Sequence, residues 1–398
     1  MKHKQLVCSG RLLRACFFLM LILPGIYSCR SGKINPRTVT KREFRKEIRK
    51  GRDAVRLYFI SSNVPGVSVS VSIDGETVWS QGMGYANKEL RVPVTPATRF
   101  RIGSTSRMLT AMLMARLQQE GKLSMGDSFY QYVPEYPGKQ WDFTLYQLGV
   151  HTAGLPEDNP GELYSKSKKY KSLKDYVHAH AGDSLLFRPD DYYAVSDYGY
   201  SLLGILAEEI SRKRFPALMK EMVLDTLKLT ETQADNPYYL VENRSQCYCL
   251  NYIAQLTNAP TVDLSFCAPA HGFLSTADDL NKAARAAMDS TVFTADIRDL
   301  FFKPHQLSHG YQTNLGFGWW VLRDRENRPL YAQIGTTVGG SSKVLVYPEQ
   351  KLVVSICSNL EDDNAQLPAR EIARIFLDKL DPRTGSGKKE DANNNQAY

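Results

Sequence analysis

Cysteine and histidine are both scarce, with seven of each in 398 residues. Cys8, Cys16 and Cys29 lie at the extreme N-terminus, which leaves Cys247, Cys249, Cys267 and Cys357 for the body of the chain. No Cys/His group has zinc-ligand spacing, so no metal is expected, and nothing calls for another cofactor. Cys247 and Cys249 are too close on an extended chain for an easy bridge, and the four are read as buried free thiols. Long apolar runs are absent too: the one at 15–27 is too short to span a bilayer comfortably. The body also lacks excess positive charge. The net charge is +8, but residues 1–56 carry 15 Lys/Arg against Glu43, Glu47 and Asp53, so the remainder sums to −4. A basic surface for nucleic acid is therefore not indicated. With 43% apolar and 23% charged residues, what remains is an ordinary globular protein.

The N-terminus reads as a targeting segment. Lys2, Lys4, Arg11 and Arg14 accompany the apolar run, which ends in IYSC with the small Ser28 before Cys29. This resembles a bacterial lipoprotein signal, in which Cys29 would be lipidated. The alternative is an ordinary cleaved signal with an incidental cysteine. Either exports the protein, to a periplasm-facing or surface position in a bacterial envelope, with the basic residues after Cys29 beside a membrane. Residues 1–29 are assigned to the signal and 30–37 to a linker.

Residues 38–60 place Phe44, Ile48, Val55 and Phe59 on one stripe, predicting an amphipathic helix. Val67, Val69, Val71 and Ile73 alternate with serines, Asp74-Gly75 supplies a tight turn, and a second strand returns through Val78. Residues 108–117 are apolar nearly all round, which predicts a helix buried at the centre, with Gly121 as a stop. Ser104 lies where that helix begins, among unpaired backbone N–H groups. Further helices are expected at 202–210 and 277–288, and again at 368–380. Strands are expected in GFGWWVLRD and SSKVLVYPEQKLVVSICSN, where Pro348-Glu349-Gln350 makes the turn. The organisation is an α/β domain built from 38–107 and 310–380, a helical insert at 108–309, and a polar, disordered tail at 381–398. No internal repeat appears.

Six stretches occur in the order found in one family: PGVSVSVSIDGE, TRFRIGSTSR, LYQLGVHTAGLPE, YGYSLLGILAEEIS, GFLSTADDL, and GTTVGGSSKVLVYPE ending in SNL. Residues 40–380 thereby resemble the β-lactamase-related serine hydrolases, which include class C β-lactamases, penicillin-binding-protein-like peptidases and esterases. The resemblance implies an α/β (α+β) fold, an antiparallel β-sheet flanked by helices, with a groove between that layer and the helical insert. The family's chemistry uses S-x-x-K, Y-x-N and K/H-T-G motifs. It also uses an oxyanion hole of backbone N–H groups, which the resemblance assigns here to Ser104 and Thr336.

The nucleophile position is Ser104, but the lysine position is Arg107. A guanidinium cannot accept a proton at physiological pH. Flanking register puts Y-x-N on Val195-Ser196-Asp197; a one-residue shift would instead give Ser196-Asp197-Tyr198, an S-D-N-like serine shuttle. The third motif falls on Gln333-Ile334-Gly335, and an amide carries no proton. Each positioned acid or base contributes ~10²–10⁴-fold, so three losses leave little catalysis. Arg107 and Asp197 are expected to pair, which would make the aspartate a poor base. His151 is read as a structural loop histidine. His271, where the family often has glycine, is the candidate substitute base. The first reading is therefore an exported pseudoenzyme that binds a cell-wall (peptidoglycan-derived) peptide or a protein partner. The alternatives are a serine hydrolase using Ser104 with a non-standard base, and a structural scaffold.

Overall fold

The computed structural model describes residues 38–156, 163–361 and 366–381, all within the compact unit Pro36–Tyr398. The signal segment, Cys29, the linker and the C-terminal tail lie outside the described residues.

The described part opens with β1 (Val39–Thr40), α1 (Arg45–Ser62), β2 (Gly66–Ile73) and β3 (Glu76–Asn87). The β2–β3 turn carries Asp74 at φ 49° and Gly75 at φ 80°, the left-handed pair that a two-residue hairpin requires. Then come α2 (Ser106–Gln119), α3 (Asp197–Ser211), the one-turn α4 (Ala268–His271) and α5 (Ala277–Met288). The chain returns through β4 (Leu315–Gly316), β5 (Trp319–Arg323), β6 (Pro329–Thr337), β7 (Gly340–Tyr347) and β8 (Leu352–Ser358), and ends the described part in α6 (Ala369–Leu380). The sheet order is β1-β3-β2-β8-β7-β6-β5-β4, antiparallel throughout. Strands from both ends of the chain thus meet at β2–β8. This is the mixed antiparallel sheet-and-helix fold implied by the resemblance.

Two cores lie on opposite faces of the sheet, as the two-residue period of a strand dictates. In β7, Leu345 and Tyr347 join Phe44, Ile48 and Val55 of the N-terminal segment and Ile372 and Phe376 of α6, while Val344 and Val346 join the core around α2. The serines that alternate with valine in β2 look solvent-facing in sequence, yet Ser68, Ser70 and Ser72 are buried. α5 covers them, and Asn281 accepts a hydrogen bond from Ser72 Oγ at 2.6 Å. α2 is buried on nearly every side from Met108 to Leu117, and the chain leaves it through Gly121 at φ 67°.

The thiols divide. Cys267 and Cys357 are buried; Cys247 and Cys249 are only half-buried, Cys249 on a small two-stranded hairpin (Tyr248–Leu250 with Leu256–Asn258) and Cys247 just before it. No disulfide occurs among the described residues.

Candidate active site

Ser104 sits on a 3₁₀ turn, Gly103–Thr105, that feeds directly into α2. The turn lies flush on β6. Gly103 has φ 54°, and a Cβ there would come within 2.6 Å of the Thr336 carbonyl oxygen; one on Gly335 would come within 2.0 Å of the Ile102 oxygen. Ser342 of β7 fastens the turn, donating to Ile102 O at 2.7 Å and lying 2.8 Å from Thr105 Oγ1. Ser104 is therefore held beside Thr336, and both side chains remain half-exposed. Beyond Ala332, β6 runs past its ladder with β5, so among the described strands only β7 pairs with Ile334–Thr337.

Arg107, one helical turn after Ser104, reaches the first residue of α3. Its Nε donates to Asp197 Oδ1 at 3.1 Å, and Nη2 donates to the same oxygen. Asp197 stands in the first turn of α3, where the helix dipole favours a carboxylate, and Ser196 caps that helix by accepting from Gly199 N. Its other oxygen, Oδ2, lies 2.5 Å from His271 Nε2. The same Nε2 is 3.3 Å from Ser104 Oγ, whereas His271 Nδ1 is buried with no hydrogen-bond partner among the described residues. Burial is the largest influence on the Asp197 carboxyl and opposes its ionisation. Arg107 and His271 together outweigh it, holding the group well below the usual carboxylate range.

Val195, Gln333 and His151 lie around this cluster. Val195 is half-buried at the entrance to α3. Gln333 is buried and donates its amide to Gly318 O. His151 has φ 62° and accepts from Ser196 N through Nδ1 at 3.1 Å. Burial, reinforced by nearby Arg107, pushes its imidazole down to about 3, so it is neutral and structural. Next to Arg107 and Gln333 is a cavity of about 10 Å³, also lined by His151, Tyr200 and Gly318. That is room for about one water; Ser104 does not line it.

Sequence reasoning overlooked Tyr200 as part of the site. Its ring centroid lies 5.7 Å from the Arg107 guanidinium carbon and its hydroxyl donates to Gly149 O at 2.9 Å. Its position one helical turn after Asp197 was the available signal. Nothing in sequence pointed to Gly318 as the partner of Gln333, because loop carbonyls carry no side-chain label.

A family model described as Beta-lactamase matches residues 44–378. The chain belongs to the beta-lactamase family. Among curated relatives, the human serine beta-lactamase-like protein LACTB, mitochondrial, is 26% identical, with 86% of this chain and 82% of that protein covered. Protein flp of Staphylococcus aureus is 24% identical over 76% of this chain and 61% of its own length. Among solved structures, the octameric penicillin-binding protein homologue from Pyrococcus abyssi superimposes with TM-score 0.73 at 21% identity, covering 84% of this chain and 77% of that one. A class C beta-lactamase mutant gives 0.69 at 21% identity, covering 85% and 98%. These likenesses establish the beta-lactamase and penicillin-binding-protein fold and the serine hydrolase family. The roles of individual residues must come from the geometry.

Proposed function

We propose that this beta-lactamase family member is a catalytically impaired serine hydrolase homologue whose groove binds an extended peptide. The candidates are a peptidoglycan-derived stem peptide and a segment of a protein partner. The observation that carries this reading is that one imidazole nitrogen, His271 Nε2, faces both the Ser104 hydroxyl and the Asp197 carboxylate. A working serine–histidine–aspartate relay uses both ring nitrogens, one for the serine proton and the other for the carboxylate. With Nε2–H donated to an ionised Asp197, no lone pair on that nitrogen is left for Ser104. Arg107 holds charge but accepts no proton, and Gln333 spends its amide on Gly318 O. The backbone of Ser104 and Thr336 remains beside the serine, as an oxyanion hole would need. Among the described strands only β7 pairs with Ile334–Thr337, and the Ser104 side of this stretch is where an extended peptide would lie.

Export and lipidation at Cys29 belong to the same proposal. The exposed side of α1 supports a position near an anionic membrane: Arg45, Lys46, Arg49, Lys50 and Arg56 all face solvent.

The test is intact-mass spectrometry after incubation with a penicillin and with a fluorophosphonate, beside calorimetric titration with a stem peptide. No adduct at Ser104 and saturable peptide binding are expected. Rapid stoichiometric labelling of Ser104 would overturn the impaired-enzyme reading. It would favour instead a hydrolase in which His271, 3.3 Å from Ser104, serves as base; labelling would then disappear in His271→Ala.

A further inference from the structure

On the sheet face opposite the Ser104 turn, a second cavity of about 340 Å³ opens between the β5–β6 turn and α6. Its floor is apolar, formed by Leu330 and Leu377, and its walls carry Arg323, Arg325, Arg328, Arg370 and Arg374 against Asp324, Glu326 and Glu371.

The internal pairings leave two of these cations over. Arg328 is held by Asp324 at 2.6 Å and by Glu326 at 2.9 Å. Arg374 is held by Glu371 at 2.8 Å, with Asp378 at 3.6 Å, and Arg323 donates to Asn327 O at 2.7 Å. Arg325 and Arg370 have no hydrogen-bond or ion-pair partner among the described residues, and both are exposed. The third uncommitted group is Tyr347. Its side chain is 4% exposed, its ring packs under Arg328 at 5.9 Å, and its hydroxyl has no hydrogen-bond partner among the described residues. The ring is buried but the hydroxyl reaches the cavity, so a ligand there can meet it. Burial and the adjacent Asp324 push this phenol up to about 12, so it stays protonated and can only donate to an anion.

We propose that this cavity is a binding site for a phosphate-bearing ligand, with Arg325 and Arg370 supplying guanidinium donors and Tyr347 a hydroxyl donor. Guanidinium forks match the geometry of phosphate oxygens, and two of them beside a neutral donor suit a doubly charged group. The apolar floor would accept whatever the phosphate is attached to. The site shares no residue with the cluster around Ser104, so the proposal stands independently of catalysis there.

The experiment is calorimetric titration of the full chain with pyrophosphate at constant ionic strength. It is paired with flotation on phosphatidylcholine vesicles with and without phosphatidic acid. Wild type should bind one of these probes saturably. Arg325→Ala with Arg370→Ala should weaken that binding by at least about tenfold, since charged hydrogen bonds are lost. Tyr347→Phe should weaken it less, and neither change should move the melting temperature of the unliganded protein. Pyrophosphate binding without phosphatidic-acid dependence identifies a soluble phosphate ligand. The reverse identifies a lipid headgroup, provided that the arginine double variant again weakens it. Absence of binding in both arms, or equal binding by the arginine variant, overturns the proposal.

Discussion

Replacing Asp197 by asparagine isolates the charge at the centre of the altered site, because the shape of the side chain is kept. In the wild type the carboxylate is bound by Arg107 on one oxygen and by His271 on the other, with side-chain exposures of 11%, 2% and 7% for Arg107, His271 and Asp197. Solvent therefore screens these pairs little. Removing one partner of such a buried pair leaves a guanidinium uncompensated, at a cost of about 3–5 kcal/mol. For a domain of this size each kcal/mol corresponds to about 1.4 °C, so calorimetry at pH 7 should show Asp197→Asn melting about 4–7 °C below wild type. The pH dependence follows from the depressed carboxyl. Its stabilisation is fully present above the unfolded value, about 3.9, and is lost as pH falls from there toward the folded value. The gap between wild type and variant should therefore narrow below about pH 4. A melting temperature within about 1 °C of wild type at pH 7 would show that Arg107, Asp197 and His271 are not the coupled unit described above.

Three further outcomes are expected. Restoring the family's residues at five positions together (Arg107→Lys, Val195→Tyr, Asp197→Asn, His271→Gly and Gln333→His) should raise hydrolysis of p-nitrophenyl acetate by at least about 10²-fold; no gain would mean that the groove itself has changed. His151 is held neutral, with its folded value about 3 below an unfolded value near 6.5, so its contribution is complete above about 6.5 and lost as pH falls toward 3. His151→Asn tolerates φ 62° and should flatten the melting temperature between those limits; an unchanged profile would assign the acid sensitivity elsewhere. Gly335→Ala should destabilise severely, since its Cβ would sit 2.0 Å from a backbone oxygen, whereas Gly75→Ala at φ 80°, with nothing within 4 Å, should cost only about 1 kcal/mol. Chemical denaturation of the two variants side by side checks the ranking, and equal losses would count against the close seating of the Ser104 turn.

Much of the fold was legible because the relevant physics is local. Alternating valines and Asp74-Gly75 specify the β2–β3 hairpin, and an all-apolar helix after Ser104 can only be central. The helix expected at 277–288 is α5, Ala277–Met288. Solvent exposure was less legible. The Ser/Val alternation of β2 looks identical whether the serine face meets water or Asn281, and only the packing of α5 distinguishes the two.

For the site, sequence alone determined which residue types stand at the aligned motif positions. The expected alignment puts Arg107, Val195 and Gln333 where the family has lysine, tyrosine and lysine or histidine, and what these side chains can do with a proton is a property of the residue type. Tertiary structure decided which site residues meet. Asp197 and His271 are separated by a long stretch of chain, and no local rule says that they share a nitrogen-to-carboxylate contact or that Ser104 faces the same nitrogen. Residue identity sets which protons a group can hold; only the packing of α2, α3 and α4 sets which lone pairs remain to receive them.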